Sequence, residues 1–127
     1  MADTSVHIGS LTLKNPVTVA SGTAGYGEEL AKLFDISRLG AVFTKGLSIK
    51  PRPGNTGPRI VETTAGVLNS IGLENVGIEK FLEEKLPFLK KAGATVIANV
   101  AGHSVEENIE LCETLSKADG VHAVELN

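Results

Sequence analysis

Thr95-Val96-Ile97-Ala98-Asn99-Val100 is an apolar, β-branched run broken only by one carboxamide, and its neighbourhood decides the fold. Just downstream stands Ser104 with Glu107 three residues on, the pairing of a helix N-cap with a reciprocating carboxylate. Val105, Ile109, Cys112 and Leu115 then repeat at helical spacing, which predicts a helix that lays this stripe on a sheet. His122-Ala123-Val124-Glu125-Leu126-Asn127 is a second strand-like run. Strands that are apolar on both faces and joined through a helix read as a parallel βαβ unit with helices covering the sheet.

The same rhythm extends towards the amino terminus. Val17-Thr18-Val19-Ala20-Ser21 and Ala41-Val42-Phe43-Thr44 read as two further buried strands, closed by Gly22 and by Lys45-Gly46. Between them Glu28 to Phe34 predicts a short helix, with Leu30, Leu33 and Phe34 inward. Ile78 to Lys91 predicts another, which Pro87 should kink or split. Val6 to Leu13 reads as a β-hairpin turning at Gly9-Ser10. The fold class is therefore α/β, with parallel strands behind an N-terminal hairpin. A closed eight-stranded barrel takes about 250 residues. Four units in 127 residues leave an open α/β domain or the amino-terminal half of a (β/α)8 TIM barrel.

Composition removes other classes. The formal net charge of -3 is no footprint for a polyanion, so neither nucleic acid nor an anionic membrane is an expected partner. A hydrophobic fraction of 42% supports a packed core rather than disorder, and no apolar run reaches a membrane span. The single cysteine, Cys112, excludes an internal disulfide and suits a reducing compartment such as the cytoplasm. Its place on the helical stripe reads as inert core. His7, His103 and His122 lack ligand spacing, so no metal site is expected. Gly22 to Gly27 has the wrong glycine spacing for a dinucleotide fingerprint, and no Walker loop is present.

In parallel α/β folds the carboxyl ends of the strands surround the ligand. Those ends are Ser21-Gly22, Lys45-Gly46, Asn99 and Asn127. Lys45 directly after Val42-Phe43-Thr44 is placed for a pocket mouth, where an ammonium stabilises an anion or serves as a Schiff-base amine. A lysine snorkelling into water fits the same spacing. Leu47 to Gly66 is the longest connection, and its prolines and glycines exclude a through-going helix. Arg59 to Thr63 and Gly66 to Leu68 read as a small antiparallel pair within it. Asn69-Ser70-Ile71-Gly72-Leu73-Glu74-Asn75 follows, and the Asn69 carboxamide can match the C=O and N–H edge of a planar imide. An asparagine in an ordinary turn looks the same.

Taken together these motifs resemble a known family. Asn15-Pro16-Val17 leading to Ala20-Ser21-Gly22, then Thr44-Lys45-Gly46, Pro51-Arg52-Pro53-Gly54-Asn55, Pro58-Arg59, the Asn69 to Asn75 stretch and Glu125-Leu126-Asn127 look like dihydroorotate dehydrogenase. Within it they are most similar to the catalytic subunit of the NAD-linked class 1, type B branch. The likeness runs along essentially the whole chain.

The resemblance implies an FMN-dependent (β/α)8 barrel that oxidises dihydroorotate to orotate in pyrimidine biosynthesis. It implies FMN contacts at Ser21, Lys45, Gly46, Asn99 and Asn127. Pyrimidine contacts fall at Lys45, Asn69, Ser70, Ile71, Gly72, Leu73 and Asn127. It further implies a partner subunit carrying FAD and a 2Fe-2S cluster, and a homodimer of catalytic subunits within a heterotetramer. The family's cysteine base lies shortly after the Glu-Leu-Asn strand end, and Cys112 does not match that position. Residues 1–127 are accordingly expected to be one partial domain, the first four β/α units, inactive alone. Two other readings stay open on the residues: a Schiff-base aldolase or isomerase barrel using Lys45, and a non-catalytic α/β ligand-binding module.

Overall fold

The computed structural model describes residues 2–127. Val6–Ile8 (β1) and Leu11–Leu13 (β2) pair antiparallel, Val6 opposite Leu13, across a turn in which Gly9 takes φ 58°. Thr18–Val19 (β3), a single helical turn Ser21–Ala24 (α1) and Ala41–Phe43 (β4) come next. Ile60–Thr63 (β5) and Gly66–Asn69 (β6) form an antiparallel hairpin. Ile78–Lys80 (α2) and Leu86–Lys91 (α3) flank a π-helical turn over Phe81–Lys85. Val96–Val100 (β7), Val105–Ser116 (α4) and Ala123–Leu126 (β8) complete the order.

The central sheet runs β3-β4-β7-β8 with every neighbour parallel. Strand alternation gives it two different faces. On one, Val42, Val96, Ala98 and Val100 pack against Phe81, Leu89, Leu111 and Leu115 of the helices, which is the main core. On the other, Ala41 and Ile97 are sealed by Leu13 of the β1–β2 hairpin, with Phe43 and Ala123 alongside. Further along that second face, towards the strands' carboxyl ends, Asn99 and Glu125 stand opposite each other in register. The hairpin closes the apolar end of this face, and polar groups begin where it stops.

Four expectations need correction or refinement. The first strand is only Thr18–Val19, and Val17 is 60% exposed because β3 lies at the sheet's edge. Glu28 to Phe34 yields one 3₁₀ turn, Leu30–Lys32, and of the expected stripe Leu30 packs on the core while Leu33 is exposed. Gly25 and Gly27 at positive φ before it, and Asp35 capping a second 3₁₀ turn after it, leave no length for an α-helix. Pro87 does not split its helix. The π-turn just before it takes up the missing N–H and the ring's demand for space, so residues 78–91 stay helical throughout.

The fourth concerns α4. Ser104 Oγ accepts from Glu107 N as expected, while the Glu107 carboxylate accepts from His103 N, one residue before the cap. The buried stripe is Leu111 and Leu115, with Cys112 half-buried; Val105 is 70% and Ile109 53% exposed. Those two lie on the flank of the helix. With Cys112 and Leu126 they line an open apolar groove of about 450 Å³.

Glycine is structurally required at Gly40, where a Cβ would stand 2.0 Å from the Asn15 carbonyl oxygen. That closeness lets Asn15 donate to Arg38 O and lets Gly40 N donate to Val17 O, which brings the chain into β3.

Candidate functional site

A cleft of about 590 Å³ opens at the carboxyl ends of the parallel strands. Ser21, Gly22 and Thr23 bring the start of α1 to it, Lys45 and Gly46 the exit of β4, and Asn127 the exit of β8. Its opposite wall is the β5–β6 hairpin and the loop behind it, through Ile60, Val67, Asn69, Ile71, Leu73 and Glu74. The strand-end side is polar, while the hairpin side sets the apolar Ile60, Val67, Ile71 and Leu73 beside Asn69 and Glu74. Such a cleft offers a flat, amphipathic ligand both an apolar face and directional hydrogen bonds.

Lys45 is held by its backbone, whose N–H donates to Gly25 O at 2.8 Å. Among the described residues its ammonium enters no ion pair. A half-buried cation without a carboxylate is left to meet an anionic or carbonyl ligand group. Asn127 is anchored by its own N–H on Val100 O at 3.0 Å.

Asn99 stands behind the cleft wall, 3% exposed. Its Nδ2 donates to a Glu125 carboxylate oxygen, and its Oδ1 accepts from Asn127 Nδ2 at 3.3 Å. Its backbone N–H donates to the buried Thr44 hydroxyl at 3.1 Å. Gly46 packs onto it so tightly that a Cβ there would lie 3.0 Å from Asn99 Oδ1 and 3.2 Å from the Ala101 Cβ. That approach gives a physical reason for glycine after Lys45.

The hairpin-side loop is fixed by Asn75, which is buried and fully engaged. Its Oδ1 accepts from Ser48 N and Gly77 N, its Nδ2 donates to Ser48 Oγ and Leu73 O, and its backbone exchanges two bonds with Arg52. Asn55 holds the other end, with its N–H on Ile71 O and its Nδ2 on Ser70 Oγ at 2.8 Å. Arg59 ties Glu74 at 2.6 Å and donates to Pro53 O. Gly72 and Leu73 both take left-handed backbone, φ 78° and 52°. For Leu73 that conformation is strained, and its side chain is left 50% exposed on the cleft.

Of the residues singled out from sequence, Ser21, Lys45, Gly46, Asn69, Ile71, Leu73 and Asn127 line this one cleft. Ser70 and Gly72 belong to the same loop but turn to Asn55, and Asn99 backs the wall. Cys112 lies on α4 in the apolar groove, which shares Asn127 with the cleft. His122 Nδ1 accepts from Val96 N, a structural role. Among the described residues no group of three or more His, Cys, Asp or Glu could hold a metal ion. Likewise no helix is long and apolar enough to cross a membrane.

Sequence reasoning missed Ile60 and Val67 as cleft wall and Glu125 as a partner of Asn99. The alternation of β5 and β6 carried the first signal, since positions 60, 62, 67 and 69 share a face. A carboxylate in an otherwise apolar strand, two residues before Asn127, carried the second.

A parallel α/β sheet whose strand ends ring a polar-and-apolar cleft defines the chain as a member of the strand-end ligand-binding α/β proteins. The family model described as dihydroorotate dehydrogenase matches residues 3–127, and the chain belongs to that family. A Geobacter sulfurreducens protein named dihydroorotate dehydrogenase B (NAD(+)), catalytic subunit, is 54% identical over 125 residues, 98% of this chain and 41% of that protein. An Aquifex aeolicus protein, named by inference dihydroorotate dehydrogenase A (fumarate), is 57% identical over 125 residues with the same coverage. The chain thus spans about two fifths of the length of these relatives. A solved dihydroorotate dehydrogenase from Eimeria tenella, in complex with ferulenol, superposes with a TM-score of 0.69 at 22% identity over 98% of this chain and 36% of that one. That likeness is one of fold.

Proposed function

We propose that this chain supplies the strand-end half-site of a dihydroorotate dehydrogenase, which oxidises dihydroorotate to orotate in pyrimidine biosynthesis in the cytoplasm. On this reading its four strands are the first β/α units of an FMN-binding (β/α)8 barrel. The observation that carries it is the single cleft shared by Lys45, Asn69 and Asn127. The names of relatives 54% and 52% identical, both catalytic subunits of the NAD(+)-linked B type, support the same reading.

The residues fit a flavin. Ile60, Val67 and Leu73 offer apolar contact for a planar ring, and Ser21, Lys45, Gly46, Asn99 and Asn127 stand at or behind the opposite rim. A bound FMN supplies the hydride-accepting chemistry, and FAD and a 2Fe-2S cluster in a partner subunit, within a heterotetramer around a homodimer of catalytic subunits, supply the route to NAD+. Lys45 would hold a bound flavin at the strand-end rim, where its ammonium would stabilise negative charge on the ring. Asn69 and Asn127, one from each wall, offer donor and acceptor to the edges of the pyrimidine and so orient it. Ser70 to Gly72, clamped by Asn55, hold Asn69 and Leu73 at fixed positions over the cleft. The cleft contains no cysteine, and Cys112 lies outside it, on the flank of α4.

Turnover tests this reading. The purified enzyme containing this chain is expected to oxidise dihydroorotate, with Lys45→Ala lowering kcat by about 10²-fold or more while leaving the protein folded. An unaltered kcat in that variant contradicts the assignment of Lys45.

A further inference from the structure

We infer that Glu125, through Asn99, is a positioning residue that sets which end of the Asn127 carboxamide faces the ligand. The inference rests on the flavin-and-pyrimidine reading and adds a residue to it. Three side chains form a directional relay. Asn99 and Glu125 are register partners on β7 and β8, so their side chains emerge together on the polar face of the sheet. The carboxylate of Glu125 can only accept, so it takes the Nδ2 end of Asn99. Asn99 must then turn Oδ1 towards Asn127, and Oδ1 can only accept, so Asn127 must give it Nδ2.

One consequence follows at the cleft. With Nδ2 turned to Asn99, the Asn127 Oδ1 points away from the relay, and the carboxamide offers it, beside the second Nδ2 hydrogen, as an acceptor for a ligand N–H in the cleft that Asn127 lines. Neighbouring contacts hold Asn99 in place between its two partners. Asn99 is buried, its N–H is held by Thr44 Oγ1, its C=O accepts from Leu47 N, and Gly46 packs against Oδ1. The polarity of a residue on the ligand is therefore dictated from two side chains away, by an acidic group that does not line the cleft.

Replacing the carboxylate by an amide removes the instruction without removing the contact. In Glu125→Gln the acceptor-only constraint is gone: the new amide can offer Nε2 to Asn99 Oδ1 as well as Oε1 to its Nδ2, so Asn99 is free to donate to Asn127 and the Asn127 NH₂ to turn towards the ligand. The holoenzyme variant is expected to keep its FMN and its thermal midpoint. Its Kd for orotate, read from the flavin absorbance, and its KM for dihydroorotate should rise about tenfold, with kcat changed less, as for one lost hydrogen bond. The double variant Glu125→Gln with Asn99→Asp restores an acceptor-only group at the middle of the relay. It should bring the orotate Kd back to within about threefold of the wild-type value, a rescue that a purely structural role does not produce.

Wild-type orotate affinity in Glu125→Gln, or failure of the double variant to recover it, overturns the relay. Wild-type protein that binds neither FMN nor orotate overturns the underlying reading instead, so the two failures are distinguishable.

Discussion

At the level of single residues, burial and hydrogen-bond accounting explain more than charge does. Tyr26 is the chain's only tyrosine. It is 8% exposed, stacks obliquely on Phe81 at 6.0 Å, and accepts from Val76 N at 3.4 Å. Desolvation raises its hydroxyl above the usual 10.0, with the Val76 N–H working weakly the other way. The folded state then holds its proton to higher pH than the unfolded state does. Its contribution to stability is intact below about pH 10 and is lost as pH climbs through the raised value. Phenolate absorbance should show a midpoint above 10 in the folded protein, and Tyr26→Phe should flatten the alkaline fall of the unfolding free energy relative to wild type. A midpoint at or below 10 contradicts the burial of this ring.

Lys45 was legible in sequence because a lysine follows directly on a buried strand. Glu125 was not, because a carboxylate in a strand reads equally well as a solvated residue until its register partner is known. Asn99 read as a rim ligand, and only the pairing of β7 with β8 reveals that its amide is engaged by Glu125 on one side and Asn127 on the other.

Among the elements, α4 makes the clearest separation between pattern and packing. The stripe Val105, Ile109, Cys112, Leu115 and the stripe Leu111, Leu115 are both apolar and lie on adjoining sides of one helix. Sequence periodicity cannot choose between them, because a flank that stays open here looks like a core face. Leu111→Ala is expected to cost about 2–5 kcal/mol, while Val105→Ser should stay within about 0.5 kcal/mol in denaturant unfolding of this polypeptide. Equal costs would restore the stripe expected from periodicity.

The helix after Gly77 carries a related lesson. Pro87 forbids a regular α-helical bond pattern, but a π-turn satisfies it locally, and such a turn leaves no periodicity signal. The β5–β6 pair was readable, since Thr64-Ala65 separates two β-rich runs and Gly66 opens the second. Its projection as the far wall of the cleft was not readable. That depends on Asn55, Asn75 and Arg59, whose bonds join positions 15 to 27 residues apart.

For the molecule as a whole, the alternation of strand-like and helix-like runs predicts a parallel sheet, and the four strands pair parallel in the order β3-β4-β7-β8. The two edges, β3 and β8, carry unpaired backbone groups, and next to β8 the groove of Val105, Ile109, Cys112 and Leu126 lies open. Exposed parallel edges beside apolar surface favour association. Light scattering on this polypeptide by itself is expected to give a mass above the monomer, and a strictly monomeric species at micromolar concentration contradicts that.

The strand ends, distant in the linear order, meet the hairpin loop in one cleft, and the functional reading rests on that convergence. Its most direct test is an orotate titration of the flavin-loaded enzyme followed by the flavin absorbance spectrum. We expect a saturable spectral shift that weakens at least tenfold in Asn69→Ala and again in Lys45→Ala, one residue from each wall. A protein without bound flavin, or an orotate response indifferent to both substitutions, would contradict the account.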